Sequence, residues 1–159
     1  MKNFFFYDPK LLLYGFLIIF FASYGQTFFI SLFNTEIRKF YGLSDGEFGL
    51  VYAVATLLSS FLLISFAKLI DHLDLRLYSF IITLGFLCAC LGMVIFINNI
   101  LYLFLVIFML RFFGQGAMDH AGGTTMARYF GNDKGKALSV ATLGGMIGVM
   151  FLPYFALNF

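Results

Sequence analysis

Charge is scarce in this sequence: its 159 residues include only 10 basic and 8 acidic side chains, 11% in all. A soluble domain carries about 25% charged residues because its surface must face water. The missing solvent is lipid. Between Arg76 and Arg111 there is no charge at all. The net charge of +2 is too small, and its basic residues too dispersed, for a nucleic-acid partner. Cysteine is nearly absent. Cys88 and Cys90 stand one residue apart in an apolar stretch, where a disulfide is sterically poor and no His or carboxylate completes a metal set. They read as small core hydrophobes, and no metal or cofactor is expected. The apolar run after Lys10 is too long for a secretory signal and no small-residue cleavage site follows it, so it reads as a retained first helix. None of Asp71, His72, Asp74, Asp119 and His120 falls in an H-E-x-x-H or a G-x-S-x-G motif.

What is present is hydrophobic sequence, at 62% of residues, in stretches that can be measured against a bilayer. A hydrocarbon core about 30 Å thick needs roughly 20 helical residues. This sets the fold class as all-α integral membrane, with five transmembrane helices at approximately 11–34, 48–68, 77–97, 100–126 and 137–157. The uncharged stretch from Arg76 to Arg111 would be about 50 Å long as one helix, so it must turn back. Asn98 and Asn99 mark the turn, since both favour turns over helix. Residues 36–47 read as a water-exposed connection with Ser44 as an N-cap, and residues 128–136 as a second polar loop. Lys2, Lys10, Lys68, Arg76, Arg128, Lys134 and Lys136 fall on one side; Arg38 and Lys39 fall on the other, beside Glu36, Asp45 and Glu47. By the positive-inside rule the N-terminus is cytoplasmic and Phe159 external. The chain stops there with no polar tail, which reads as a truncation.

The loop from Ala67 through Lys68, Leu69, Ile70, Asp71, His72, Leu73, Asp74 and Leu75 to Arg76 resembles the signature loop of the major facilitator superfamily, G-x-L-x-D-R-x-G-R-[RK]. Asp71 matches its acidic position and Arg76 its last basic one; Ala67, Asp74 and Leu75 depart from glycine, glycine and arginine. On helix four, Arg111, Phe112, Phe113, Gly114, Gln115, Gly116 and Ala117 resemble the second motif, R-x-x-Q-G-x-[AG], shifted by one residue at the glutamine. A basic loop and a glycine-rich fifth helix ending near Pro153 follow in the expected order. The resemblance covers essentially the whole chain, as the first five of six helices in an N-terminal half. It implies secondary transport by two halves that rock around a central site, in the plasma membrane, such as a bacterial inner membrane. The implied partners are a small-molecule substrate, a coupling proton or ion, lipid, and the missing C-terminal helices of the same transporter.

Arg111 falls near the midplane, where an arginine costs roughly 2.5–3.5 kcal/mol and needs a partner or a wet cavity. Its planar fork suits a carboxylate, which tilts the substrate toward a small organic anion; the alternative is a structural arginine bonded to backbone or polar neighbours. Arg111, Gln115, Asp119 and Gly122 recur at helical spacing, with His120 opposite. Asp119 lies two turns nearer the cytoplasm, where it could pair with Arg76 or Arg128 and hold a gate closed, or serve as an interfacial carboxylate. Asp71, Arg76, Asp119 and Arg128 are therefore the gating candidates. Helix one carries Ser23, Thr27, Ser31 and Asn34 along one face, flanked by Tyr24 and Gln26. These line a cavity or bond to other helices; Tyr24, Gln26 and Thr27 join Arg111 and Gln115 as pathway candidates. On helix five, Gly144 and Gly148 form a GxxxG pair, and Ala141 with Gly145 repeats the spacing. They suit close packing, or a sliding contact during rocking. Two other classes compete: a membrane enzyme, whose acid–base candidates are Asp71, His72, Asp74, Asp119 and His120, and a small subunit that transports nothing.

Overall fold

A computed structural model describes residues 8–95 and 97–158. Five helices in it are long and apolar enough to cross a membrane: Pro9–Leu32, Asp45–His72, Leu75–Val94, Ile100–Tyr129 and Gly131–Ala156. No strand occurs among the described residues. Lys2 lies outside them.

Local sequence explains most of the ends. Asp8 caps α1 (Pro9–Ala22) through its side chain, with Pro9 at the first position where its missing N–H costs nothing. α2 (Thr27–Leu32) and α3 (Asn34–Tyr41) follow. Ser44 begins α4 (Asp45–Phe66) with a capping box, its hydroxyl accepting from the Glu47 amide while Glu47 accepts from the Ser44 amide at 2.8 Å. The short α5 (Leu69–His72) leads into α6 (Leu75–Val94). Asn99 caps α7 (Ile100–Met109), accepting from the Leu101 amide at 2.8 Å, so the asparagine pair does make the reversal. A nine-residue π-helix, Leu110–Met118, passes into α8 (Asp119–Tyr129), and α9 is Lys134–Asn158.

Three expectations need correction. The first span is not one continuous helix: a 3₁₀ turn, Ser23–Gly25, and an extended Gln26 divide it. Nor is 36–47 mostly a loop. Its first half is α3, which buries Ile37 and stops where Gly42 takes φ +66, a left-handed conformation that glycine alone adopts without strain. Cys88 is exposed on the outside of the bundle and not in the core, whereas Cys90 is half-buried; both are free thiols.

The first and fourth spans form the centre, with 39% and 44% of their most apolar windows buried against 17–22% for the other three. Ala22, Ala117, Ala121 and Met126 are fully enclosed there, and Tyr78 and Ile82 of α6 close over them. Leu50, Phe61, Ile64, Phe80, Leu101, Met146 and Met150 project outward. In water such a surface would aggregate; in lipid it is the solvated face. The fifth span packs along the first. An added Cβ at Gly144 would meet the Phe16 carbonyl, and one at Gly148 the Ser23 hydroxyl, while Gly145 has Ile19 Cγ2 at 3.1 Å from that position. Small residues thus let the two backbones touch.

Candidate functional site

The break in the first span releases a backbone carbonyl inside the bundle. In a continuous helix the Phe29 amide would donate to Gly25; here it donates to Gln26 at 3.2 Å. The Gly25 oxygen then needs a partner, because a bare carbonyl in a bilayer costs several kcal/mol. Arg111 supplies it: Nη1 donates to Gly25 O at 3.2 Å and to Thr27 Oγ1 at 3.2 Å. Tyr52 of α4 completes the group, donating from its hydroxyl to Thr27 Oγ1 at 2.8 Å while its ring lies 5.4 Å from the Arg111 guanidinium carbon. Arg111 is 8% exposed, and its Nε is buried without a partner.

Opposite the break, the fourth span widens. The π-helix brings Gly114 against Gly25 so closely that an added Cβ on Gly25 would stand 2.9 Å from Gly114 Cα and 2.8 Å from the Gln115 amide nitrogen. π segments are rare and concentrate at functional sites. This one also moves the polar residues off the expected stripe. Spacing at 3.6 residues per turn assumes i→i+4 bonding, and i→i+5 bonding rotates every residue beyond Leu110 away from that register. Arg111, at the start of the π segment, reaches the break, while the Gln115 Oε1 is buried unpartnered.

Asp119 also differs from expectation. It accepts from Gln26 Nε2 at 3.0 Å and pairs with neither Arg76 nor Arg128. The extended backbone at Gln26 turns that side chain toward the fourth span. Arg128 instead forms an ion pair with Asp71 and donates to the Ile70 carbonyl at 3.2 Å, tying α8 to the short α5. Arg76 makes no ion pair among the described residues. His120 meets Thr124 at 3.4 Å, so Asp119 and His120, though adjacent in sequence, have separate partners.

Two cavities flank the break. One of about 460 Å³ is lined by Ser23, Gln26, Asp119, Thr142 and Gly145 among apolar neighbours of the first, fourth and fifth spans. The other, about 670 Å³, is apolar and lies between the first, third and fourth spans, with Tyr24, Phe29, Phe33 and Tyr102 in its wall. Tyr24 packs edge-on to Phe29 at 4.8 Å. Tyr24 and Gln26, grouped in the sequence, therefore face different spaces. Ser31 returns to its own helix, donating to Phe28 O at 2.8 Å, and the Asn34 Oδ1 is buried without a partner. Sequence reasoning missed Gly25, Gly114 and Tyr52. Gly114 stood inside the quoted motif, but nothing local marks Tyr52 among the aromatic residues of the spans.

Five apolar spans around a polar, discontinuous centre define a helical integral membrane protein. The family description Major Facilitator Superfamily matches residues 15–158, so the chain belongs to that superfamily of membrane transporters. No curated protein and no solved structure matches it.

Proposed function

We propose that these five spans form part of the N-terminal half of a secondary transporter that moves a small organic anion by alternating access, with the N-terminus cytoplasmic and Arg111 in the solute pathway. The carrying observation is Arg111 itself: a buried, permanently charged guanidinium at a helix break, with Nε unpartnered. Broken helices mark solute sites in transporters because their freed backbone groups and dipole ends can face a ligand. A carboxylate would bond the vacant edge of the fork without displacing Nη1 from Gly25. Solute binding would then draw on the same side chain that fixes the break, which links occupancy to helix geometry.

A second role has its own support, since the bonds to Gly25 and Thr27 make Arg111 a clasp between the first and fourth spans whether or not solute binds. Arg111→Lys and Arg111→Gln separate the two. In the full-length transporter in liposomes, uptake and equilibrium binding of a panel of radiolabelled mono- and dicarboxylates would be measured beside folded yield. Losing a charged hydrogen bond worth about 1.5–3 kcal/mol should weaken binding roughly 10- to 150-fold in the Gln variant, with part retained by Lys. Unchanged binding and uptake in Arg111→Gln would refute the pathway role, and equal loss of folded protein in both variants would assign Arg111 to the clasp.

A further inference from the structure

Among the described residues, Asp119 is the one carboxylate placed well inside a span with no ion-pair partner. Ten residues, about 15 Å of helix, separate it from the Tyr129 end of the fourth span. Its oxygen accepts from the neutral Gln26 amide at 3.0 Å, and no ion pair reaches it among the described residues. The charged and titratable groups around it each have another partner, with Arg111 Nε and His120 Nδ1 left buried and unpartnered. On its own span, Arg111 is held at Gly25 and Thr27, Arg128 at Asp71, and His120 at Thr124. The first span contributes Ile19, Ser23, Gln26 and Phe28 to the cavity beside it, and the fifth contributes Leu138, Thr142 and Gly145 with apolar neighbours. None of these titrates.

An ionised carboxylate in that setting is costly: Asp119 is only partly exposed and no cation compensates it among the described residues. Neutralisation by a proton removes the cost, and Asp119 lines a cavity of about 460 Å³, large enough to hold water. We propose that Asp119 is a proton-binding site of this protein, loaded and unloaded through that cavity and governed by Gln26. On loading, an O–H bond forms between a proton delivered by water and the carboxylate; on unloading it breaks and the proton returns to water. Gln26 serves both states. Its amide donates to the ionised form, and after rotation its carbonyl oxygen accepts from the protonated form. Because Gln26 is the extended residue at the break, the charge on Asp119 is tied to the geometry of the first span.

The site can be tested without an identified solute, so it stands or falls separately from the role of Arg111. Dicyclohexylcarbodiimide reacts with protonated carboxyl groups in apolar surroundings: the carboxyl oxygen bonds to the carbodiimide carbon and the proton passes to nitrogen. The protein in lipid nanodiscs would be treated across a pH series and modification read residue by residue by mass spectrometry. Asp119 should be modified near neutral pH and progressively lose modification as the pH rises, whereas the water-exposed Asp45 stays unmodified. Gln26→Leu removes the donor that favours the ionised form and should raise modification of Asp119 at a given pH roughly tenfold. No modification of Asp119 at any pH in the wild-type protein, or the same pH dependence with Leu at position 26, would overturn the proposal.

Discussion

Replacing Gly25 by alanine tests whether contact between two backbones creates the polar centre. The added methyl carbon would lie 2.5 Å from the Leu110 carbonyl oxygen, 2.8 Å from the Gln115 nitrogen and 2.9 Å from Gly114 Cα. All three are backbone atoms, so no side chain can rotate to make room. The spans must separate, and the 3.2 Å bond from Arg111 to the Gly25 carbonyl stretches with them. Overpacking of this kind costs about 1–3 kcal/mol, or a five- to 150-fold change in the folding equilibrium. An unsatisfied Gly25 carbonyl would add about 1–3 kcal/mol. Equilibrium unfolding by SDS in mixed micelles, followed by circular dichroism, gives the measurement. Gly46→Ala is the matched control: no atom lies within 4 Å of its added carbon, and it sits in α4, where alanine is worth about 0.5–1 kcal/mol over glycine. Gly114→Ala closes the same contact from the other side, so the double variant should cost less than the sum of the singles. A Gly25→Ala protein as stable as wild type would show that the close approach does not hold the break.

Asp71→Asn should remove the pairing with Arg128, cost at most about 1 kcal/mol because both side chains are about half exposed, and slow solute exchange without weakening equilibrium binding. Lost binding with unchanged gate populations would contradict this. For orientation, a cysteine in place of Asp45 should react with an impermeant maleimide from outside intact cells, and one in place of Lys134 only after the membrane is opened; the reverse pattern would invert the topology. Ser44→Ala removes one arm of the capping box and should destabilise the protein by about 1 kcal/mol in the SDS titration, with transport intact once folded.

The sequence alone determined the class, the number of spans and the turn between the third and fourth, because transfer to lipid depends on each segment's own composition. Twenty uncharged residues must cross, and a stretch as long as Arg76 to Arg111 must reverse at Asn98 and Asn99. Ser44 was legible for the same local reason, as a cap needs only its own hydroxyl and the residues just beyond it. The partners inside the bilayer were not legible. Helical periodicity put Arg111, Gln115 and Asp119 on one stripe, and that holds only while the helix is regular. Gly25 and Gly114 are 89 positions apart in the chain, and only their meeting accompanies a broken first span, a widened fourth and an Arg111 turned onto the Gly25 carbonyl. Asp119 met Gln26, and Arg128 met Asp71, for the same reason. Hydropathy is a property of a segment, whereas a hydrogen-bond partner in lipid is whichever group the packing of the other spans brings within about 3 Å.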